Sequence, residues 1–368
     1  MYLPAVLLVF AIAAFGAGPR GKTVSGLERL LYVTDKSGLS VYDINDSHKL
    51  LRQIAVPDTG IYKGISASVP LGQLQLTSNL KDDIVALDLA TDAIAWKKPY
   101  PGEYPDSQAI TPDGKTLYVP MRAGDSWAII DAATGTEKGR IKVEHGKNYE
   151  ANDHPIGGVG PHNTWMNNAG TRVYFEVLTM PWIYYADTKT NKLSGKVGPF
   201  SKGIRPFAVS DDEKYIYANV DWLLGFEVGD IKTGKMIHRV EAKTPASRLA
   251  QMPKPPERKP HSTPSHGVNI RPDQKEVWVV DGVYGYVYVF DVTSMPPKHL
   301  ADVPLFKDPA EQPHPGWVSF SIDGAYAYPD GGAVIDTKTK QVVARIPTSE
   351  KLIEIDFRNG KPMKAGHR

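Results

Sequence analysis

Three histidines in this chain stand where similar short runs begin. His162 opens HNTWMNNAGT, His266 opens HGVNIRPDQK, and His314 lies two residues ahead of a third run, GWVSFSIDG. Aligning the turns that end these runs puts Lys63, Asp106 and Arg205 at the same place in other copies. Glu350 falls two residues ahead of a further one, at Leu352. Three imidazoles with an open coordination position form a catalytic zinc arrangement, and imidazole also suits copper, nickel and iron. Such a centre acidifies a bound water or polarises a carbonyl. The pattern therefore marks His162, His266 and His314 as candidate ligands of a divalent transition metal: zinc, copper, nickel, iron or manganese. Asp106 and Glu350 are candidates to orient a ligand or act as base, and Arg205 to hold an anionic substrate group. Lys63, Trp165, Trp317 and His261 are candidate substrate-binding residues.

The elements that must position these groups are read from a repeat of roughly 40–45 residues. Each copy has a short apolar run, a Pro-Asp-Gly-like turn, a strand rich in Tyr, Val and Trp, and a strand ending in Asp-x-x-Thr. Clear copies of the first part are SQAITPDGKTLYV, PFAVSDDEKYIYA, GVNIRPDQKEVWV and WVSFSIDGAYAY, with NTWMNNAGTRVYF weaker. The second part appears as ALDLATD, IIDAATG, YADTKTN, VFDVTS and VIDTKTK, and GDIKTGK reads as slipped. Asp-Gly and Asn-Ala-Gly turns supply positive φ, which suits tight hairpins. Each unit is thus four short antiparallel strands that cannot bury both faces alone, and radial stacking buries them.

The first unit, Leu30–Val56, lacks an innermost strand, whereas the end of the chain, KLIEIDFRNGK, reads as an innermost strand with its turn and nothing after it. The fold expected is all-β: a seven-bladed β-propeller over residues 27–362, closed by the C-terminal strand completing the N-terminal blade. Closure hides the sheet edges. It also brings every innermost strand, and so the aligned ionisable residues, to the rim of one channel. Two long connectors rise over the same end, Glu144–Pro161 with His145 and His154, and Thr244–Ser265 with His261. Long loops on a rigid scaffold commonly carry function.

The repeat resembles the YVTN-type β-propeller repeat proteins, the YncE-like periplasmic proteins among them. The resemblance is carried by Leu31-Tyr32-Val33-Thr34-Asp35 and by GVNIRPDQKEVWVVD. It implies the fold and leaves function open, because such propellers include binding modules, lactonases, lyases and redox proteins. In these repeats a histidine before the inner strand also commonly bonds a backbone carbonyl across the blade, which is the plain structural reading of His266.

Composition narrows the functions. With 43 basic and 41 acidic residues the chain offers no electrostatic case for nucleic acid. It has no cysteine, which excludes disulfides, thiolate nucleophiles and Cys-ligated metal. Residues 1–19 contain an apolar stretch, YLPAVLLVFAIAAFGA, that reads as a signal peptide or N-terminal anchor, so a periplasmic or extracellular location is expected, with no membrane contact beyond this leader. Two readings of function remain. One is a metal-assisted lyase or hydrolase, lactonase-like, at the histidine-rich rim. The other is a non-catalytic propeller binding a small molecule, protein, peptide or glycan there.

Overall fold

Turn chemistry sets the strand lengths. At the turn after each innermost strand one residue takes a left-handed conformation: Gly72, Gly114, Gly170, Gly324 and Gly360, with φ between 60° and 74°, and without glycine Glu213 and Gln274, with φ 51° and 62°. At the end of the third strand an aspartate caps the next turn. Asp88, Asp131, Asp187, Asp230 and Asp336 each accept from the hydroxyl and backbone N–H of a threonine three residues on. Asp230 does so with Thr233, so the copy expected to be slipped is in register; only its apolar residues differ.

The computed structural model describes residues 21–36, 38–143, 160–178, 180–251, 264–308, 316–347 and 351–366. The leader, His145, His154, His261, His314 and Glu350 lie outside the described residues. The described strands form seven antiparallel sheets, the blades of a seven-bladed β-propeller. From the innermost strand outward, blade 2 runs Tyr62–Ser68, Gln73–Ser78, Asp83–Asp88 and Ile94–Pro99. Blades 3 to 7 begin with the innermost strands Ala109–Ile110, Pro161–Met166, Ile204–Val209, Ser265–Ile270 and Val318–Phe320. Innermost strands touch in succession from blade 1 to blade 7, and they are largely buried while the outermost strands are largely exposed. Side chains from neighbouring blades interdigitate: the Trp127 indole of blade 3 donates to Thr164 Oγ1 of blade 4 at 2.8 Å and packs on Phe175.

Blade 1 takes strands from both ends of the chain. Glu28–Asp35, Gly38–Asp43 and Lys49–Ala55 are joined by Leu352–Arg358, with Leu30 opposite Ile355 and Tyr32 opposite Ile353. A fifth strand, Lys361–Ala365, then pairs on the inner side of Leu352–Arg358, which corrects the expectation that nothing follows the closing strand. Asn359 and Gly360, with φ 53° and 74°, form a two-residue hairpin that returns the chain onto the exposed inner edge. The seam between blades 1 and 7 is polar as well as apolar. Glu354 accepts from Arg29 Nε and from the Ile322 N–H, each at 2.7 Å, and Arg29 reaches Asp323 at 2.8 Å.

Candidate functional site at the channel mouth

The aligned residues face the channel because the innermost strands are bulged where they begin. In blade 4, Pro161 pairs Val177 and Thr164 pairs Phe175, so His162 and Asn163 together oppose Glu176. In blade 5, Arg205 and Pro206 oppose Asn219 in the same way, and in blade 6 His266 and Gly267 oppose Val280. Lys63 is the extra residue of a similar shift in blade 2. A bulge turns side chains out of the pleat, here towards the axis. Pro206 fits because a bulged residue has no ladder N–H to lose. Gly267 fits because a Cβ there would lie 2.9 Å from Trp317 Cα.

Each of these groups is held. His162 Nδ1 lies 2.6 Å from Glu176 Oε1, and that oxygen also accepts from Asn163 N at 3.2 Å and Nδ2 at 2.6 Å. Asn163 Nδ2 lies 2.6 Å from His162 Nδ1 as well. His266 Nδ1 lies 3.0 Å from the Gly316 carbonyl, the contact of the plain structural reading, and its ring meets Trp317 edge-on at 5.9 Å. Arg205 is bidentate on Asp221, Nε to Oδ1 at 2.7 Å and Nη2 to Oδ2 at 3.1 Å. Asp106 accepts from Ser107 N at 2.8 Å and from Arg122 Nη1 at 3.4 Å. Lys351 Nζ sits 3.1 Å from the centre of the Trp317 ring.

Burial and charge fix the protonation states. The His162 ring is held well below the usual histidine range by burial and then by Arg122, His266, Arg205 and Lys351. Burial, followed by the Arg205 charge, brings His266 down to about 3. Both imidazoles are therefore neutral at physiological pH, with Nδ1 engaged and Nε2 left as the nitrogen that can meet a ligand. Burial pushes Glu176 up to about 8, against the pull of its Asn163 bond and of Arg205.

The structure thus brings Asp106, His162, Arg205, His266 and Trp317 to one end of the channel, with Lys63, Trp317 and Lys351 lining a cavity of about 20 Å³ there. Trp165 differs. It lies three residues further along its strand than His162, and it lines a hollow of about 670 Å³ at the opposite end. At about 3.3 Å per residue that is on the order of 10 Å from the mouth. Met363–Gly366, at the end of the fifth strand of blade 1, also line this hollow. Among the described residues no three of His, Asp and Glu already form a metal shell.

Glu176, Asp221, Arg122 and Lys351 were not singled out by sequence reasoning. A signal for the first three exists: each is an ionisable residue within one residue of the end of a second strand, as are Asp35, Asp281 and Asp330. That position neighbours the start of the innermost strand across the hairpin.

Comparison with protein-family models finds no match, and comparison with curated proteins finds none. Among solved structures the chain is similar to a chain of Kuenenia stuttgartiensis hydrazine synthase, at 16% identity and a TM-score of 0.61, covering 86% of this chain and 98% of that one. It is also similar to a putative 6-phosphogluconolactonase from Bacteroides fragilis, at 13% identity and a TM-score of 0.66, covering 90% and 99%. At these identities the likeness establishes the propeller fold alone.

Proposed function

We propose that the channel mouth holds a divalent transition metal on Nε2 of His162 and His266 and serves hydrolase or lyase chemistry on a small anionic substrate. The observation that carries this reading is that both imidazoles are kept neutral and fixed through Nδ1 at the same mouth. Metal-bound histidine ordinarily gives its other ring N–H to a carboxyl group or a backbone carbonyl, and Glu176 Oε1 and the Gly316 carbonyl lie within hydrogen-bond distance of the two Nδ1 atoms. His314 and Glu350 are proposed to complete the shell and to serve as base. Lys63 and Lys351 favour an anion through their field; Arg205 and Arg122 add little to it, because each is already paired with an acid, Asp221 and Asp106. The repeats are proposed to be YVTN-type, and residues 1–19 to direct export to the periplasm or beyond. Enzyme names among structures of this fold accord with a scaffold that carries catalysis.

Elemental analysis of untagged protein tests the reading. About one equivalent of zinc, copper, nickel, iron or manganese is expected, lost in the folded His162→Ala/His266→Ala double variant. Folded wild-type protein that takes up none of these metals would favour the second reading, a non-catalytic binding propeller. The His266 contact to Gly316 is the observation on that side, since it suffices as a purely structural role.

A further inference from the structure

The channel continues past the mouth. Beyond the cavity of about 20 Å³ that Lys63 and Lys351 line there is a second of about 40 Å³, and beyond that the hollow of about 670 Å³. The three follow one another along the innermost strands of blades 2 and 3. Ile65 and Gln108 line both the first and the second, and Ala67, Ile110, Trp165 and Gly366 line both the second and the third. The ends carry charge, with Lys63, Asp330 and Lys351 at the mouth and Asp211 and Lys364 at the hollow. The waist between them differs. Among the described residues that line it none is ionisable, and its polar side chains include Ser66, Thr164 and Gln108.

The start of blade 3 makes room for this waist. Its innermost strand has two residues, Ala109–Ile110, where that of blade 4 has six. Ser107 and Gln108 leave the ladder and bond blade 2 instead. Ser107 Oγ donates to Lys63 O at 2.8 Å, and Gln108 Nε2 donates to Gln75 O at 3.1 Å and to Ser66 Oγ at 3.3 Å. Thr77 Oγ1 donates to Gln108 Oε1 at 3.2 Å, so the amide is tied to blade 2 through both of its polar atoms. Gly64 leaves space for it, since a Cβ there would overlap Gln108 Oε1. A cavity takes one water for about 10–15 Å³ if polar partners are at hand. On that scale the waist holds about three waters and is too small for an organic molecule. An ion entering it would give up its hydration with no opposite charge to receive it. We propose that the axis is a water passage, joining the hollow to the mouth through a neutral waist at Gln108 and barring ions and organic molecules. Its use to bring hydrolytic water from the end opposite the substrate rests on the function proposed above; the passage itself does not.

High-resolution diffraction from the full chain, paired with ¹⁷O relaxation dispersion of its water, tests the passage. Diffraction is expected to show ordered waters within hydrogen-bond distance of Ser66 Oγ and the Gln108 amide. The dispersion should register the same waters, because water that leaves through open ends exchanges far faster than water released by local unfolding. Gly64→Ala, which pushes the Gln108 amide towards the axis, should remove about two of them. Ser66→Val, a milder change that replaces the hydroxyl by methyl groups, should remove part of them and serves where Gly64→Ala does not fold. A dry waist in wild-type protein would overturn the proposal. So would waters seen by diffraction that add nothing to the dispersion, since those are sealed in. An unchanged water count in the folded variants would overturn the placing of the waist at Gln108. A hydrated, exchanging waist in protein that takes up no metal would support the passage and remove only its use in hydrolysis.

Discussion

A buried imidazole is defined by what its two nitrogens meet, and a buried guanidinium by whether its fork is matched. Arg205 and Asp221 are nearly inaccessible and joined by two bonds, so either left alone is an uncompensated charge. Replacing Arg205 by Met is expected to lower unfolding free energy by roughly 3–5 kcal/mol, and adding Asp221→Leu to restore most of that loss. Denaturant titration of wild type, both single variants and the double variant gives the cycle. Single variants as stable as wild type would show that the pair is solvated. At this scale the sequence disclosed the first partner of each pair and hid the second. His162 and Arg205 stand out by alignment of turns. Glu176 and Asp221 sit 14 and 16 residues downstream, where only the hairpin register shows that they face them. The depth of Trp165 was legible, since three residues beyond His162 on one strand is on the order of 10 Å.

Among elements, the strand Leu352–Arg358 joins the two ends of the chain in blade 1, and its Glu354 sits between Arg29 and the turn of blade 7. Burial pushes this carboxyl up to about 7, opposed by Arg29, with Asp356 and Asp323 the nearby acids. The folded protein therefore keeps a proton that the unfolded chain releases near the ordinary glutamate value. This contribution to stability is complete below about pH 4.5 and is lost as pH rises to about 7, at up to about 1.4 kcal/mol per pH unit. Glu354→Gln does not titrate, so the stability of the variant relative to wild type should improve steadily from pH 5 to pH 7. Urea midpoints across that range measure it, and parallel curves would remove the assignment. The closing strand itself was legible from the missing innermost strand of blade 1. The strand after it was not: Lys-Pro-Met-Lys has no alternating apolar pattern, and only Asn359-Gly360 announces the hairpin. The bulges were equally silent, because one extra residue inside a short run leaves its composition unchanged.

At the scale of the whole molecule, the repeat made the propeller readable, since a stack of four-stranded units has few other ways to bury both faces. The ring is what brings His266, about a hundred residues away in sequence, close enough to influence the protonation of His162. The central claim is that these two imidazoles share one metal at the mouth. It is tested most directly by anomalous X-ray scattering at the absorption edge of the metal found in crystals of untagged protein. The account predicts one peak about 2.0–2.1 Å from Nε2 of both His162 and His266, the ordinary metal–imidazole distance for zinc. A metal peak bound elsewhere, or either Nε2 bonded to protein instead, would contradict it.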